Sequence, residues 1–380
     1  MKHLIYADNA ATTQLDSDAY KAMSEILQNE YGNPSQPYSL SRAAKKLIAQ
    51  ARETIAECID ASPDEIYFTS GGTESDNWAI EGIAFNNPDK IIITSQIEHH
   101  AVLRTCEFLE KQSFLVKYLP VTKEGTVLPE TLCAQISDAT ALVSVMLANN
   151  EIGTIQPIKE LAEIAHSHGA LFHTDAVQAV GHIPIDVKEF GVDMLSASAH
   201  KFNGPKGIGF LYIKQGTNIL PFMHGGAQEK GLRAGTENVA SIVGMSIALK
   251  KNINNAINKD CLYREEQFFL SRLEQCGIIL SRDFLWNGNN EFGKHLPGLI
   301  SLSFRGKDGE SIMHRMDLKG ISISTGAACD SVNTQVSHVI QAIQVPNEFA
   351  LGTIRISFGN NTTHDEIKTT ANALCDILLK

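Results

Sequence analysis

The sequence predicts an α/β protein, with a mainly parallel sheet flanked by helices and a smaller α+β domain beside it. Three observations predict this. Short β-branched runs alternate with helix-period segments through the first part of the chain. The length, 380 residues, exceeds one ordinary core. Past about residue 258 the texture changes to a long helix followed by a few separated strands. The expected division is a large domain of residues 14–258 and a small one of residues 1–13 with 259–380.

The elements follow in order. Residues 41–56 put Ala44, Leu47, Ile48, Ala51 and Ile55 on one helical face, and residues 66–69 read as a strand. Ser70-Gly71-Gly72-Thr73-Glu74-Ser75 then leads into a helix through Ile83. Residues 90–94 read as a buried strand and about 99–111 as a helix; residues 141–146 are a further strand. Pro157 opens a helix that Gly169 closes. Residues 170–174 and 193–197 are strands, and 207–213 a return strand. In such sheets ligands sit beyond the carboxyl ends of the strands. Thr73, His99, Asn150, Asp175 and Lys201 each come just after a strand-like run. Beyond residue 258, a helical pattern to Cys276 precedes strands at 299–304, 321–325 and 353–358. Thr363-His364-Asp365-Glu366 is a capping box that opens the last helix.

Composition excludes several classes. A net charge of −11 argues against a grip on the nucleic-acid backbone. The N-terminus turns polar too early for a secretory signal, and the longest apolar runs are strand-sized, too short to cross a membrane. Seven irregularly spaced cysteines without a CxxC pair suit neither a disulfide framework nor a metal site. A reducing cytoplasm fits best.

Lys201 lies between a strand-like run and the turn Asn203-Gly204-Pro205. Partial desolvation there favours a Schiff base, although a surface charge beside a turn reads as well. Asp175 ends a buried strand, where a carboxylate needs a cation such as a pyridinium nitrogen; alone, it reads better as a helix N-cap. The glycines of the Ser70–Ser75 turn suit a phosphate at a helix N-terminus, without the lysine of a P-loop. His99 could stack on a planar cofactor or be structural. Arg355, a charge within a strand pattern, suits bidentate capture of a carboxylate or points to water. Cys329, in Thr325-Gly326-Ala327-Ala328-Cys329, reads as a thiol on an exposed loop of small residues. The other six cysteines read as buried small hydrophobes.

The ordered set Tyr6-Ala7-Asp8-Asn9-Ala10-Ala11-Thr12-Thr13, Asn33-Pro34-Ser35, Gly72-Thr73-Glu74-Ser75, Glu98-His99, Asn149-Asn150-Glu151, Asp175-Ala176-Val177-Gln178, Ser198-Ala199-His200-Lys201 and Gly235-Thr236-Glu237-Asn238, followed by the Cys329 loop and Arg355, resembles the NifS-like cysteine desulfurases. These belong to the class V aminotransferase superfamily of pyridoxal 5'-phosphate (PLP) enzymes, and the likeness covers nearly the whole chain. It implies fold type I with a seven-stranded sheet. It also implies removal of sulfur from L-cysteine, giving L-alanine and a persulfide on Cys329.

By that likeness Lys201 holds the cofactor, Asp175 meets the ring nitrogen, Gln178 the ring hydroxyl, and His99 stacks on the ring. Gly72, Thr73, Ser198 and His200 cradle the phosphate, with Thr236 contributed by a partner subunit of a homodimer with shared active sites. Asn150 and Arg355 take the substrate carboxylate. Lys201 and His99 move protons, and Cys329 passes sulfur to an acceptor protein serving iron–sulfur cluster assembly, tRNA thiolation or DNA phosphorothioation. Asp330-Ser331-Val332-Asn333-Thr334-Gln335 lacks the glycine and serine richness of the family's loop, and Ala234 stands where serine or proline is commoner. The loop's length, to Ser337-His338, resembles the branch with broad sulfur delivery. A selenocysteine lyase or cysteine-sulfinate desulfinase is the alternative, and would depend less on Cys329.

Overall fold

The computed structural model describes residues 4–255, 259–325 and 336–379. The chain begins with the short strand β1 (Ile5–Tyr6) and two helices, α1 (Ser17–Asn29) and α2 (Ser39–Cys58). Asp16 caps α1 by accepting the Asp18 and Ala19 N–H groups. On α2, the buried residues Ser41, Ala44, Ile48, Ala51 and Ile55 recur every three to four positions, so one stripe faces the core.

Strand and helix then alternate through β2 (Ile66–Thr69), α3 (Gly72–Ala84), β3 (Ile91–Ser95), α4 (His100–Lys111) and β4 (Leu115–Leu119). Next come α5 (Pro129–Cys133), β5 (Thr140–Ser144), α6 (Ile158–Ser167), β6 (Leu171–Asp175) and α7 (Val187–Phe190). The strands β7 (Met194–Ser198) and β8 (Gly209–Ile213) precede the helix α8 (Val239–Asn255). The seven strands form one sheet in the order β2-β8-β7-β6-β5-β3-β4. Strands β3 to β7 pair in parallel with one another, while β8 runs antiparallel to both β2 and β7. The return strand expected at residues 207–213 is this reversed strand. One reversed strand between β2 and β7 leaves the carboxyl ends of β2, β3, β5, β6 and β7 on the same edge.

The remaining elements are α9 (Lys259–Gln275), β9 (Phe284–Trp286), β10 (Leu299–Phe304), α10 (Gly309–Leu318), β11 (Ile321–Ser322), α11 (His338–Ala342), α12 (Asn347–Ala350), β12 (Thr353–Ser357) and α13 (His364–Leu378). Strands β12, β10 and β9 form an antiparallel sheet. Strand β1 pairs in parallel with β11, which brings the N-terminal segment to this end of the molecule. The capping box on α13 is present, with Thr363 and Glu366 each bonding the other's backbone N–H. Hydrophobic packing follows the two sheets. One cluster joins Ile5, Ala7, Phe269, Phe284, Ile300, Ile354 and Leu374, while a larger one packs under the seven-stranded sheet. Leu299, the first residue of β10, and Ala10 and Leu296 belong to the larger cluster although they lie in or near the strands at the other end of the molecule.

Several elements differ from expectation. Strands β1, β4 and β9 and helices α1, α5, α7 and α8 are additional, and the strand expected at 321–325 pairs with β1 at Ile321 and Ser322 and bridges Arg355 of β12 at Ser324. The reading of six buried cysteines also needs correction. Cys106 and Cys375 are buried, Cys58 and Cys276 partly so, but Cys133 and Cys261 are exposed. Their helices turn those positions outward, and apolar sequence neighbours do not bury a residue by themselves.

Candidate active site

A cavity of about 550 Å³ opens at the carboxyl edge of the seven-stranded sheet, a size suited to a small cofactor and substrate. Gly72, Thr73, His99, Asn150, Asp175, Gln178, Ser198, His200, Lys201 and Arg355 all line it. Ten of the sequence-predicted site residues therefore meet in one place. Thr236 lies elsewhere, in a second cavity of about 190 Å³ beside Arg233 and Glu237. Cys329 lies outside the described residues.

The turn between β2 and α3 forms one rim. Gly71 has φ +151, in the region that side chains avoid. A Cβ on Gly72 would come within 2.5 Å of Val177 Cγ2, so this turn packs against the loop after β6 only because it has no side chain. The turn is braced from behind. Glu74 accepts the Ser70 N–H at 2.8 Å and pairs with Arg233 through bonds of 2.8 and 3.1 Å. The first residues of α3, Gly72, Thr73 and Glu74, line the cavity, and a helix N-terminus offers free N–H groups to an anion.

Asp175 ends β6 and is 5 % exposed. Its Oδ1 accepts the Val177 N–H at 2.9 Å. Burial pushes its carboxyl up to about 6, against the Val177 hydrogen bond and the Lys201 charge, which lower it. A cationic ring nitrogen beside it would favour the ionised form further.

Behind Asp175 lies a buried polar file. His173 bonds Ser144 Oγ and Ser196 Oγ at 2.9 Å each, and its Nε2 stands 3.7 Å from Asp76 Oδ1. Burial drives the His173 imidazole down to about 3, so it is neutral near pH 7, and burial with the nearby Asp175 charge holds the Asp76 carboxyl well above the usual range. Asp76 also lines the cavity and was absent from the sequence-derived set.

His99 is the N-cap of α4, with its Nδ1 accepting the Ala101 N–H at 3.1 Å. Burial, then the Lys201 charge, lowers its pKa to about 4. The ring is accordingly neutral and carries its proton on Nε2. The N-cap bond gives this histidine a structural role, and it lines the cavity as well. His200 is likewise lowered to about 4, by burial and then by Lys201.

Lys201 follows β7, and its Nζ donates to the carbonyls of Ala10 at 2.6 Å and Ala11 at 2.9 Å. The Ala10 carbonyl also accepts from Gln178 Nε2 at 2.9 Å. Ala10, Ala11 and Thr12 thus form a wall of the cavity, contributed by backbone that carries no side-chain signal. Lys206 lines the cavity too, making it a second lysine within reach of a carbonyl compound.

Arg355 does not point to water. It is buried in β12, where Nη1 donates to the Asn150 carbonyl and Nη2 to Asp8 Oδ1, both at 2.8 Å. Its Nε is buried without a partner. An unpaired buried donor costs about 1–3 kcal/mol, and more when charged. A guanidinium kept in that state on a cavity wall suits an incoming carboxylate. Asn150 lines the cavity, whereas neighbouring Asn149 is structural: its side chain bonds the Ile97 carbonyl and the Glu151 and Ile152 N–H groups.

The residues present fit PLP. They supply an N-terminal helix turn for phosphate, a buried carboxylate for the ring nitrogen, a flat neutral imidazole, a lysine and an unsatisfied arginine. Comparison with known proteins points the same way. The class-V aminotransferase family matches residues 5–369. The cysteine desulfurase IscS of Dictyoglomus turgidum is 48 % identical over 100 % of this chain and 96 % of its own. A solved NifS-like protein superposes with a TM-score of 0.92 at 36 % identity, covering 99 % of this chain and 100 % of that one. A structure of SspA in complex with cysteine has a TM-score of 0.82 at 33 % identity, covering 94 % and 100 %.

Proposed function

The chain belongs to the class-V aminotransferase family, and we propose that within it the protein is a cysteine desulfurase, releasing sulfur from L-cysteine with PLP held on Lys201. The observation that carries this reading is the meeting of Lys201, Asp175 and the unsatisfied Arg355 guanidinium on one cavity. The full-length likeness to a cysteine desulfurase and to a protein solved with cysteine supports it.

Bound there, PLP supplies an electron-withdrawing ring conjugated to the substrate's amino carbon. Gly72, Thr73, Ser198 and His200 hold its phosphate, Gln178 its ring hydroxyl, and Asp175 its ring nitrogen. Arg355 and Asn150 orient the substrate carboxylate. Lys201 Nζ takes and returns the proton of the amino carbon. His99 presents a neutral face to the ring and can give a proton from Nε2, because Nδ1 stays engaged in capping α4. The Cys329 thiolate attacks the substrate sulfur as the bond from that sulfur to the β-carbon breaks; the bonding pair goes with the carbon, which takes up a proton and leaves as L-alanine, while the sulfur stays on Cys329 as a persulfide.

The site and its surroundings suit a homodimer with shared active sites. Thr236 lies outside the main cavity and serves the partner's phosphate site. The division into residues 14–258, and 1–13 with 259–380, is supported by the separate cluster around Phe269, Ile300 and Ile354, although Ala10, Leu296 and Leu299 pack with the larger one. The persulfide passes to an acceptor protein for iron–sulfur cluster assembly, tRNA thiolation or DNA phosphorothioation, without direct contact with nucleic acid. A reducing cytoplasm suits the six described cysteines, all free thiols. Among the described residues no helix is long and apolar enough to cross a membrane.

The test is to give L-cysteine and a reductant to the wild type and to Cys329→Ala, then quantify alanine and sulfide. The wild type should release both and the variant neither. Alanine formation indifferent to the substitution, with better turnover of selenocysteine or cysteine sulfinate, would move the assignment to a lyase or desulfinase.

A further inference from the structure

Residues 8–13 touch both halves of the chemistry. At one end, Asp8 Oδ1 accepts from Arg355 Nη2 at 2.8 Å. Two residues on, the Ala10 carbonyl accepts from Lys201 Nζ at 2.6 Å and from Gln178 Nε2 at 2.9 Å. Ala11 takes a second bond from Lys201 at 2.9 Å, and Thr12 Oγ1 lies 3.1 Å from His200 Nδ1. One short stretch of backbone therefore sets how far the arginine stands from the lysine.

The Arg355 fork is held at two of its three nitrogens, by Asp8 and by the Asn150 carbonyl. A planar guanidinium fixed at two nitrogens cannot turn, so its remaining N–H groups have a set direction. Arg355 lines the cavity and its buried Nε has no partner, while Asp8 is not among the lining residues. Arg355 is thus part of the cavity wall, and Asp8 holds it from outside the lining set.

Asp8 is not needed to hold the segment in place. Strand pairing at Ser357, the Asn9 Nδ2 bond to the Ser357 carbonyl and the Ala10 N–H bond to Ser357 Oγ, each of 2.9 Å, do that without its side chain.

We propose that Asp8 is a positioning residue for the substrate carboxylate, fixing the Arg355 guanidinium in the orientation that the carboxylate meets and registering it, through residues 10–12, against the cofactor lysine; this rests on the desulfurase reading, in which Arg355 binds that carboxylate. Asp8 acts as a placed acceptor more than as a charge. A carboxylate beside the arginine lowers its pull on an anion, so removing the charge alone should not weaken substrate binding.

The experiment uses the PLP-loaded enzyme with L-cysteine and a reductant for steady-state kinetics. L-alanine, which has the same carboxylate and no sulfur to lose, is titrated for direct binding by calorimetry. Asp8→Ala should raise the KM for cysteine and the Kd for alanine about tenfold, the worth of one charge-assisted hydrogen bond. Its kcat should stay within about threefold and the visible spectrum of the free enzyme should be unchanged. Asp8→Asn, whose amide oxygen can accept the same N–H, should return KM to within about threefold of wild type.

Arg355→Ala is measured alongside. If it leaves both constants unchanged, the carboxylate reading of Arg355 fails. If it raises both while Asp8→Ala raises neither, the positioning role alone is overturned. Asp8→Asn as impaired as Asp8→Ala also overturns it, because Asp8 would then act through charge.

Discussion

On one side of the cavity Asp175, Ser198 and Lys201 come from the carboxyl ends of two adjacent parallel strands, whereas opposite them Arg355 sits in mid-strand of an antiparallel sheet and is turned inward by Asp8 and the Asn150 carbonyl. The first wall needs little tertiary help. A parallel sheet aims its strand ends at one edge, and β7 throughout and β6 past Leu171 are buried. The second wall is assembled from distant stretches of chain, tied by single hydrogen bonds. Changes to the first wall should therefore abolish chemistry, and changes to the second should mainly alter binding.

The sharpest separation comes at Lys201. Lys201→Ala should lower alanine formation by at least about 10³-fold, since it removes both the cofactor's attachment and the proton carrier. If the variant kept most of its kcat and lost only KM, the contrast between the walls would collapse. Asp175→Asn should follow with about a 10²- to 10³-fold loss in kcat, because a neutral amide cannot stabilise a positive ring nitrogen. A lowered affinity for PLP, read by equilibrium dialysis, should accompany it.

A smaller effect should appear in stability. Glu98, beside His99, is buried and hydrogen-bonded to Ser95 Oγ and the Met146 N–H, and burial raises its carboxyl to about 8. The unfolded chain ionises this group near the ordinary carboxylate value, so its folded pKa is the higher of the two. Its contribution is fully present below about pH 4.5 and is lost as pH rises toward about 8. Glu98→Gln should flatten that part of the stability–pH curve, measured by urea unfolding at stepped pH. An unchanged slope would show that Glu98 is ionised in the folded protein.

The same contrast explains what could be read from the sequence. Residues at strand ends announce themselves, since Thr73, His99, Asp175 and Lys201 each follow an apolar run that the structure makes a strand or a strand-to-helix turn. Asp76 was hidden because it falls inside the α3 pattern, immediately after the Ser70–Ser75 turn. Ala10 and Ala11 contribute carbonyl oxygens, which every residue has. Strand β4 escaped because Lys117 and Tyr118 interrupt an edge strand only partly buried. Helix α8 packs against both α1 and α2, so it lacks the polar face that periodicity looks for. Arg355 could be read as inward or outward until Asp8 and Asn150 were seen to hold it.

The most direct test of the account is to reduce the PLP-loaded protein with borohydride, digest it and find the modified residue by mass spectrometry. The account predicts a pyridoxyl group on Lys201, with no labelling in Lys201→Ala. A pyridoxyl group on Lys206, the other lysine on the cavity wall, or on no lysine at all, would contradict it.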